Sequence, residues 1–327
     1  MLHPRVAFDG YDLHRFCELP GLSALTPQVV ARHHPQASWM LHDAGGRAAA
    51  RCSLWWQDTP VLPGHRVGLI GHYAVRDATA AAGALRLACE QLAEQGCTLA
   101  VGPLDGTTWN RYRLLTERGG EPHFFLEPDN PDDWPAHFTG QGFSSLAQYS
   151  SAVAACDASP PSQPSPPGMT LRPLNPSRFD EELCRIHALS LEGFRDNFLY
   201  SPIGLDDFLE QYRGIRPHVR PELVLLLERQ DRLVGYLFGV PDLMQARRGQ
   251  PIDTVIAKTM TVHPDHRGEG LGNYLLNRFA EVAAGLGYRR VLHALMHEDN
   301  RSRRISSHTA TTFRRYTLYA KPLGGSA

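Results

Sequence analysis

The stretch that decides the fold is Thr254–Asn273, which reads TVIAKTMTVHPDHRGEGLGN. Its first nine residues are rich in β-branched side chains and have the length of a strand. His263-Pro264 ends that strand, because proline supplies no backbone donor and biases the preceding residue toward extended geometry. After the glycines, apolar side chains recur at the spacing of one helix face, at Leu271, Leu275, Phe279, Val282 and Leu286. We therefore predict a strand, a glycine-rich loop and a helix that ends at Gly285 or Gly287.

The glycine-rich loop favours the binding of a phosphate. Glycines let successive backbone N–H groups converge on one point, and the helix N-terminus adds a partial positive charge. The loop, Arg267–Gly272 (RGEGLG), lacks the lysine of a Walker loop and the G-x-G-x-x-G spacing of a dinucleotide fingerprint. A nucleotide hydrolase is therefore disfavoured, and the alternative to a phosphate loop is a glycine-rich turn before an ordinary surface helix.

The pattern R-x-x-G-x-G, with Val-x-Pro just upstream, resembles the pyrophosphate loop of the GNAT (GCN5-related N-acetyltransferase) superfamily. The resemblance implies acetyl-CoA as cosubstrate and no metal, with the loop around the pyrophosphate and the preceding strand beside the pantetheine arm. The implied pantetheine residues are Met260, Thr261 and Val262. The implied pyrophosphate residues are Arg267, Gly268, Glu269, Gly270, Leu271, Gly272 and Asn273.

Composition gives no sign of a nucleic-acid or membrane partner. The chain has 327 residues, room for two domains, and a formal net charge of −1. No apolar run approaches membrane-spanning length, and the first residues lack a signal-peptide pattern. The six cysteines show no metal-ligand spacing and sit in apolar contexts, which predicts reduced core thiols. We therefore expect a cytoplasmic protein.

The first half of the sequence repeats the order of elements seen in the second. A hairpin over Ser38–Trp56 and a strand over Val67–Tyr73 precede a helix over Asp77–Gln95, and Cys97–Val101 follows as a strand. The turn before that helix, Ala74–Asp77, contains no glycine, so its backbone cannot wrap a pyrophosphate. Residues 1–156 are accordingly predicted to be a degenerate GNAT-like domain.

The predicted domain boundary is a proline-rich segment. Asp157–Gly168 (DASPPSQPSPPG) has no hydrophobic side chain larger than alanine and is expected to be a linker. Residues 169–327 form the predicted GNAT acetyltransferase domain. The expected fold class is α/β, with two tandem GNAT-like domains, each a mixed, mostly antiparallel sheet flanked by helices.

The acceptor-binding residues are sought in two polar and aromatic segments. By resemblance, Arg195–Gly204 lies where the acceptor binds, which makes Asn197 and Tyr200 candidates; they are otherwise local turn and packing residues. Trp109, in the turn-rich stretch Gly102–Arg113, either packs at a sheet edge or reaches the other domain and encloses the substrate.

The catalytic candidates follow the strand predicted over Arg290–Met296. Resemblance implies that Asn300 bonds the pantetheine and that Arg301, Arg303 and Arg304 screen the 3′-phosphate, unless these arginines form a solvated face. Many GNAT members have a tyrosine general acid about seven residues after the asparagine. Ser307 stands there instead, with His308 beside it. The remaining candidates are His297 and Glu298 as base and Tyr316 as acid. Alternatively, His297 satisfies the strand end and water carries the proton.

The predicted function is acetyl transfer from acetyl-CoA to an amine of a small molecule or peptide. Attack is expected to be direct, because no cysteine lies in the loop or the strand after it. A non-catalytic CoA-binding regulator and a tandem-GNAT acyl- or aminoacyl-transferase with another donor are the alternatives. The sequence does not specify the acceptor or the oligomeric state.

Overall fold

The computed structural model of the protein describes residues 3–6, 10–21, 25–158 and 164–324. The strands of the first half are β1 (His3–Val6), β2 (Ala37–His42), β3 (Ala48–Trp55), β4 (Val67–Val75), β5 (Leu99–Gly102), β6 (Leu114–Glu117) and β7 (Ser144–Ala155). Its helices are α1 (Gly10–Glu18), α2 (Pro27–Arg32), α3 (Ala78–Glu94) and α4 (Trp134–Gly140).

The second half begins at β8 and follows the predicted order. Its strands are β8 (Thr170–Pro173), β9 (Val224–Arg229), β10 (Arg232–Pro241), β11 (Thr254–Val262), β12 (Arg290–His297) and β13 (Thr311–Pro322). Its helices are α5 (Phe179–Phe194), α6 (Leu205–Arg213), α7 (Leu243–Arg247), α8 (Leu271–Gly285) and α9 (Arg301–Ser306).

The predicted strand, loop and helix of the deciding stretch are confirmed as β11 and α8. Gly270, with a φ of +76°, precedes the first turn of α8. Gly287, with a φ of +89°, follows the last turn, where a left-handed residue closes a helix. Both conformations suit glycine, which explains why the helix begins and ends where the sequence indicated.

The described strands form one mixed sheet in the order β1-β2-β3-β4-β5-β13-β7-β12-β11-β10-β9-β8, with β6 paired to β13. The pairs β4–β5 and β11–β12 are parallel, and the other neighbours are antiparallel. The prediction of a mixed, mostly antiparallel sheet flanked by helices is therefore confirmed.

The last strand of each half lies in the sheet of the other half. β13 pairs with β5, with Tyr319 opposite Gly102, while β7 pairs with β12, with Val153 opposite Leu292. β7 and β13 also pair with each other along most of their length. The two predicted sheets are consequently continuous. The proposed division at residues 157–168 stays a prediction, and residues 159–163 of that segment lie outside the described residues.

Helices α3 and α8 cover equivalent positions and bury the apolar faces that the sequence indicated. In α3 the buried face is alanine-rich, with Ala81, Leu85, Ala88 and Leu92. In α8 the larger Leu275 and Phe279 are fully buried, and a side chain at Gly239 of β10 would collide with the Phe279 ring. Each such leucine or phenylalanine contributes about 1.5–3 kcal/mol by burial.

Two smaller predictions also concern the described residues. All six cysteines are free thiols, and four of them, Cys52, Cys89, Cys97 and Cys156, are buried. In the described part of the chain, no helix has the length and apolar character needed to cross a membrane.

Candidate active site

A cavity of about 930 Å³ opens where β11 and β12 separate. Their parallel pairing runs from Thr254–Arg290 to Ala257–His293 and then stops. Both strands are irregular at this point. β11 shifts register against β10 around Lys258, and β12 shifts register against β7 where Leu295 has a φ of +58°. The bulges turn the two strands apart and create the floor of the cavity.

The glycine loop forms one wall of the cavity. Gly268 and Gly270 have φ values of +95° and +76°, and a Cβ added at either position would meet no protein atom within 4 Å. The backbone of the loop therefore borders open space at the N-terminus of a 15-residue helix, a geometry that suits an anionic group. The predicted coenzyme residues that line the cavity are Met260, Thr261, Val262, Arg267, Gly268, Gly270, Leu271, Gly272, Asn273 and Asn300.

Arg267 is engaged by a carboxylate from the segment between α5 and α6. Its guanidinium donates to Asp196 at 2.8 Å and to the Gly193 carbonyl at 3.4 Å. The hydrogen bond from Arg267 lowers the pKa of the Asp196 carboxyl. A coenzyme phosphate that uses Arg267 must therefore compete with Asp196.

Glu269 and Arg303, two predicted coenzyme residues, do not line the cavity. Glu269 accepts a hydrogen bond from His266 at 2.9 Å and pairs with Arg229 at 3.5 Å. Arg303 donates to Glu298 at 3.3 Å. Arg304 does line the cavity, whereas the side chain of Arg301 lies outside the described residues.

The acceptor candidates Asn197 and Tyr200 line the cavity, together with Trp109 from the first half. The Trp109 indole donates to the Ser201 carbonyl at 2.9 Å, and its ring packs edge-on against Phe194 and Tyr200. Of the two interpretations of Trp109, the structure supports the one in which its loop reaches the other half and encloses the cavity.

Sequence reasoning missed most of the wall that the first half contributes. The additional lining residues are Thr108, Asn110, Tyr112, Arg113, Phe124, Phe125, Leu126 and Tyr149. Arg113 is 5% exposed, and its guanidinium lies 4.0 Å from the Tyr112 ring centroid and 4.3 Å from that of Tyr149. The polar and aromatic run around Trp109 was the one signal that pointed to this wall.

His297 lines the cavity and has an unsatisfied nitrogen. Its Nδ1 accepts the Asp299 backbone N–H at 3.1 Å, while its buried Nε2 has no hydrogen-bond partner. Burial lowers the pKa of His297, and the Asp299 carboxylate partly offsets this. The ring is therefore neutral near pH 7. Because Nδ1 accepts, the ring proton is assigned to Nε2, which makes that nitrogen a donor.

Glu298 and Tyr316 are not at the cavity. The Glu298 carboxylate accepts from Arg303 and Arg315, each at 3.3 Å. Tyr316 is fully buried because β13 lies between β5 and β7; its phenol donates to Glu127 and hydrogen-bonds Ser151 at 3.1 Å. Burial raises the pKa of Tyr316 well above its usual value. The geometry gives no direct support to either predicted role.

Two further groups line the cavity beyond Asn300. His308 does so, next to the position where related proteins would have a tyrosine, and so does the buried Ser306. Ser306 forms a 2.7 Å hydrogen bond with Nδ1 of His293, whose pKa burial lowers to about 4.

The equivalent gap between β4 and β5 in the first half is filled by protein. A side chain at Gly71 would collide with the backbone of Leu104 and Asp105, which shows how closely this loop approaches β4. Asp77 caps α3 by accepting the Ala80 N–H at 2.8 Å. Both features agree with the absence of a phosphate loop from the first half.

A histidine pair lies beside this filled gap, with His72 buried and His33 partly buried. His33 and His72 are hydrogen-bonded at 2.8 Å, and with Asp105 they form a group whose ligand atoms lie within 4.8 Å of one another. Ser53 hydrogen-bonds the other nitrogen of His72 at 2.9 Å, and the His72 backbone N–H donates to Asp105 at 2.6 Å. These polar groups satisfy one another inside the first half.

Residues 185–305, which contain the glycine loop and the separating strands, match the acetyltransferase (GNAT) family. This segment matches the family model, and the GNAT superfamily is thereby supported for the chain. Proteins of this superfamily generally use an acyl-CoA donor. No curated protein matches the sequence.

Solved GNAT structures match the whole chain. A GCN5-related N-acetyltransferase from Sphaerobacter thermophilus has 16% identity and a TM-score of 0.53, over 98% of this chain and 96% of that one. A tandem GNAT protein from the clavulanic acid biosynthesis pathway has 16% identity and a TM-score of 0.53, over 100% and 99%. Eis1 from Mycobacterium abscessus has 12% identity and a TM-score of 0.52, over 98% and 74%. At these identities the likeness shows the shared tandem GNAT fold.

Proposed function

We propose that this GNAT protein is an N-acetyltransferase that transfers the acetyl group of acetyl-CoA directly to an amine. The observation that carries the proposal is the glycine loop, since Gly268 and Gly270 border open space at a helix N-terminus that faces the cavity. Backbone N–H groups of the loop would hold the pyrophosphate, and Asn273 would lie beside it. Met260, Thr261 and Val262 would extend along the pantetheine arm, with Asn300 as a polar partner.

The acceptor would enter between the two halves. Asn197, Tyr200 and Trp109 line that part of the cavity and would enclose the amine. None of the six cysteines, all of which lie in described segments, lines the cavity. This supports direct attack by the amine on the thioester, without a covalent enzyme intermediate.

The handling of protons follows from the state of His297. An amine arrives protonated near pH 7 and must lose a proton before it attacks. The Nδ1 lone pair of His297 is occupied by the Asp299 N–H. We propose that Nε2–H donates a hydrogen bond inside the cavity and that water removes the proton. The roles predicted for Glu298 and Tyr316 stay predictions, and each would need water to connect it to the cavity.

Calorimetric titration of the full chain with acetyl-CoA and CoA tests the first step. We expect one coenzyme per chain, because the first half lacks the loop and its strand gap is filled. Absence of binding would overturn the proposal, and two sites per chain would show that the first half also binds.

Release of CoA, followed with a thiol reagent across a panel of amines, tests the reaction. We expect release that depends on particular amines. Tight binding without amine-dependent release would favour a CoA-binding regulator, an alternative motivated by the missing tyrosine at Ser307. Release with a different acyl-CoA only would favour an acyltransferase with another donor.

A further inference from the structure

Arg113 is a buried cation in the cavity without a carboxylate partner. In the described chain, no aspartate or glutamate lies within salt-bridge distance of its guanidinium, and its buried Nε has no hydrogen-bond partner. Nη1 donates to the Tyr112 hydroxyl at 2.6 Å. Contacts with aromatic faces offset only part of the cost of burying an unpaired charge. Arg113 is therefore suited to bind an anionic group of a ligand.

Lys258 is a second cation on the cavity wall. It lies at the register shift of β11, and its Nζ is 3.5 Å from the Tyr212 hydroxyl and 4.8 Å from the centre of that ring. As with Arg113, no carboxylate forms an ion pair with it within the described residues. Tyr212 belongs to α6, so Lys258 faces the acceptor side of the cavity rather than the glycine loop.

The acidic residues of the cavity do not balance these two cations. Within the described chain, the lining carboxylates are Asp196 and Asp299. Asp196 is paired with Arg267, and Asp299 has a 94% exposed side chain that lies 4.0 Å from His297. The acceptor side thus carries excess positive charge, although the whole chain is nearly neutral.

We propose that the acceptor is an amine that also carries an oxyanion, a carboxylate or a phosphate, and that Arg113 binds this oxyanion. The inference rests on the proposed function, whose acceptor it specifies. A planar guanidinium with free N–H groups matches the two oxygens of such an anion. Lys258 adds charge on the same side, and the amine would then point toward the gap between β11 and β12.

The coenzyme phosphates are a less suitable partner for Arg113. The guanidinium lies against Tyr149, which is the strand neighbour of His297 at the end of β12. The pyrophosphate is expected at the start of α8, where Arg267 lies. Arg113 therefore serves a different part of the cavity.

The test compares matched amines that differ in one anionic group. Suitable pairs are phenylalanine with phenethylamine, lysine with cadaverine, and phosphoethanolamine with ethanolamine. We expect the anionic member of at least one pair to have a kcat/KM higher by about 10- to 100-fold, which corresponds to hydrogen bonds with a charged group. The phosphate and carboxylate pairs distinguish the two kinds of oxyanion. Equal kcat/KM values within all pairs would overturn the proposal.

Variants link the preference to the named residues. Arg113→Gln should reduce the ratio between anionic and uncharged amines to within about threefold, and Lys258→Met should reduce it less. Arg86→Gln, an exposed residue of α3 paired with Glu90, is the control and should keep the wild-type ratio. A preference that survives in Arg113→Gln would contradict the assignment.

Thermal shifts provide a readout that does not depend on turnover. Each amine pair is compared with and without CoA, and the anionic member should raise Tm more in the wild type but not in Arg113→Gln. Loss of an unpaired buried cation should not lower Tm of the free protein. If Arg113→Gln fails to fold, Arg113→Lys and Lys258→Met are used instead. An anion-dependent Tm shift that is unchanged in both variants would reject the proposed oxyanion site. Failure of acetyl-CoA to bind would refute the proposed function alone, since the shifts without CoA still test the oxyanion site.

Discussion

Gly270 is the residue on which the coenzyme site most directly depends. A residue with a Cβ adopts its left-handed conformation at a cost of about 1–2 kcal/mol, and a Cβ would also occupy the space expected for the pyrophosphate. We expect Gly270→Ala to weaken acetyl-CoA binding at least about tenfold and Gly270→Val to abolish it. Calorimetry measures the affinity, and urea unfolding measures the backbone cost.

Gly249 supplies a matched control for this substitution. Its φ is +72°, a Cβ there would also meet nothing within 4 Å, and it does not line the cavity. Gly249→Ala should therefore lower stability by a similar amount and leave acetyl-CoA affinity unchanged. Undiminished binding by Gly270→Ala and Gly270→Val would reject the phosphate loop.

His297 distinguishes a hydrogen-bond donor from a general base. His297→Gln keeps an N–H donor but cannot titrate, whereas His297→Ala loses both properties. If Nε2–H acts as a donor, we expect Ala to lower kcat/KM by up to about tenfold and Gln to lower it less, with the pH profile unchanged. Initial rates at saturating acetyl-CoA from pH 5.5 to 9 provide the measurement.

The opposite result would assign the base. Equal losses of about 100-fold or more in Gln and Ala, with the acidic limb of the pH profile removed, would mean that His297 takes the proton from the amine. Glu298→Gln tests the other predicted base in the same assay. Nearly full activity would count against that role, in keeping with a carboxylate that Arg303 and Arg315 hold away from the cavity.

At the scale of elements, the segment between α5 and α6 is held against the glycine loop by Asp196 and Arg267. An exposed ion pair of this kind contributes little to stability, because solvent screens the two charges. Removal of the carboxylate frees Arg267 and deletes a negative charge beside the expected pyrophosphate. We expect Asp196→Asn to tighten acetyl-CoA binding by up to about fivefold, measured by calorimetry at low and high salt.

The salt dependence makes this prediction specific. The gain should shrink at high ionic strength, because exposed charges are screened. Asp206→Asn, an exposed residue of α6 that does not line the cavity, should leave the affinity unchanged. Weaker binding by Asp196→Asn would mean that this carboxylate positions Arg267 for the coenzyme rather than competing with it.

The contact between the end of α2 and β4 is predicted to be sensitive to acid. Burial lowers the pKa of His33 to about 4 and that of His72 to about 3, both below their unfolded value of about 6.5. At pH values between the folded and the unfolded pKa, the unfolded chain binds more protons than the folded chain. The contribution of the two neutral histidines to the free energy of unfolding is therefore fully present above about pH 6.5. It falls as the pH is lowered toward 4, by up to about 1.4 kcal/mol per pH unit for each histidine.

Charged neighbours also act on this histidine pair. Arg51 faces His72 and lowers the pKa of this histidine further. Burial raises the pKa of Asp105, so this carboxyl favours the folded state at lower pH and opposes the effect of the histidines, but it is one group against two. Urea unfolding at pH 7.5, 6.5 and 5.5 measures the slope. His33→Gln should flatten it, and the exposed His65→Gln should not. A stability that is constant over this range would show that the His33–His72 pair does not control it.

At the scale of the whole molecule, the exchanged strands couple the two halves. β13 supplies a neighbour to β5, and β7 supplies one to β12, so neither half keeps its sheet intact without the other. We expect a single unfolding transition. All five tryptophans lie in the first half, so their fluorescence reports that half while circular dichroism reports the whole chain.

Coenzyme binding makes the coupling measurable. A ligand bound to the native state raises the midpoint of every element that unfolds with its site. Saturating CoA, expected to bind in the second half, should therefore shift the tryptophan transition and the circular dichroism transition to the same higher urea concentration. Two separate transitions, or a tryptophan midpoint that CoA leaves unchanged, would contradict a single cooperative unit.

The sequence by itself determined the local features of this protein. The β11 strand, the glycine loop and α8 depend on proline, on glycine conformations and on a helical periodicity, all of which act over a few neighbouring residues. The lack of such a loop before α3 is equally local. These features were sufficient to indicate the GNAT fold and one wall of a candidate coenzyme site, and they predict that the first half has no second such site.

Only the tertiary structure decided which distant residues share the cavity. An alternation of apolar residues predicts a strand, but it does not specify which other strand will pair with it. The backbone donors and acceptors that form the pairing are the same at almost every residue. The placement of β13 between β5 and β7 buries Tyr316, and the placement of β7 beside β12 brings Tyr149 against His297. Arg113 becomes a cavity residue for the same reason. Its proposed role depends on the absence of a neighbouring carboxylate among the described residues, and that property belongs to the packed chain and not to the residues around position 113.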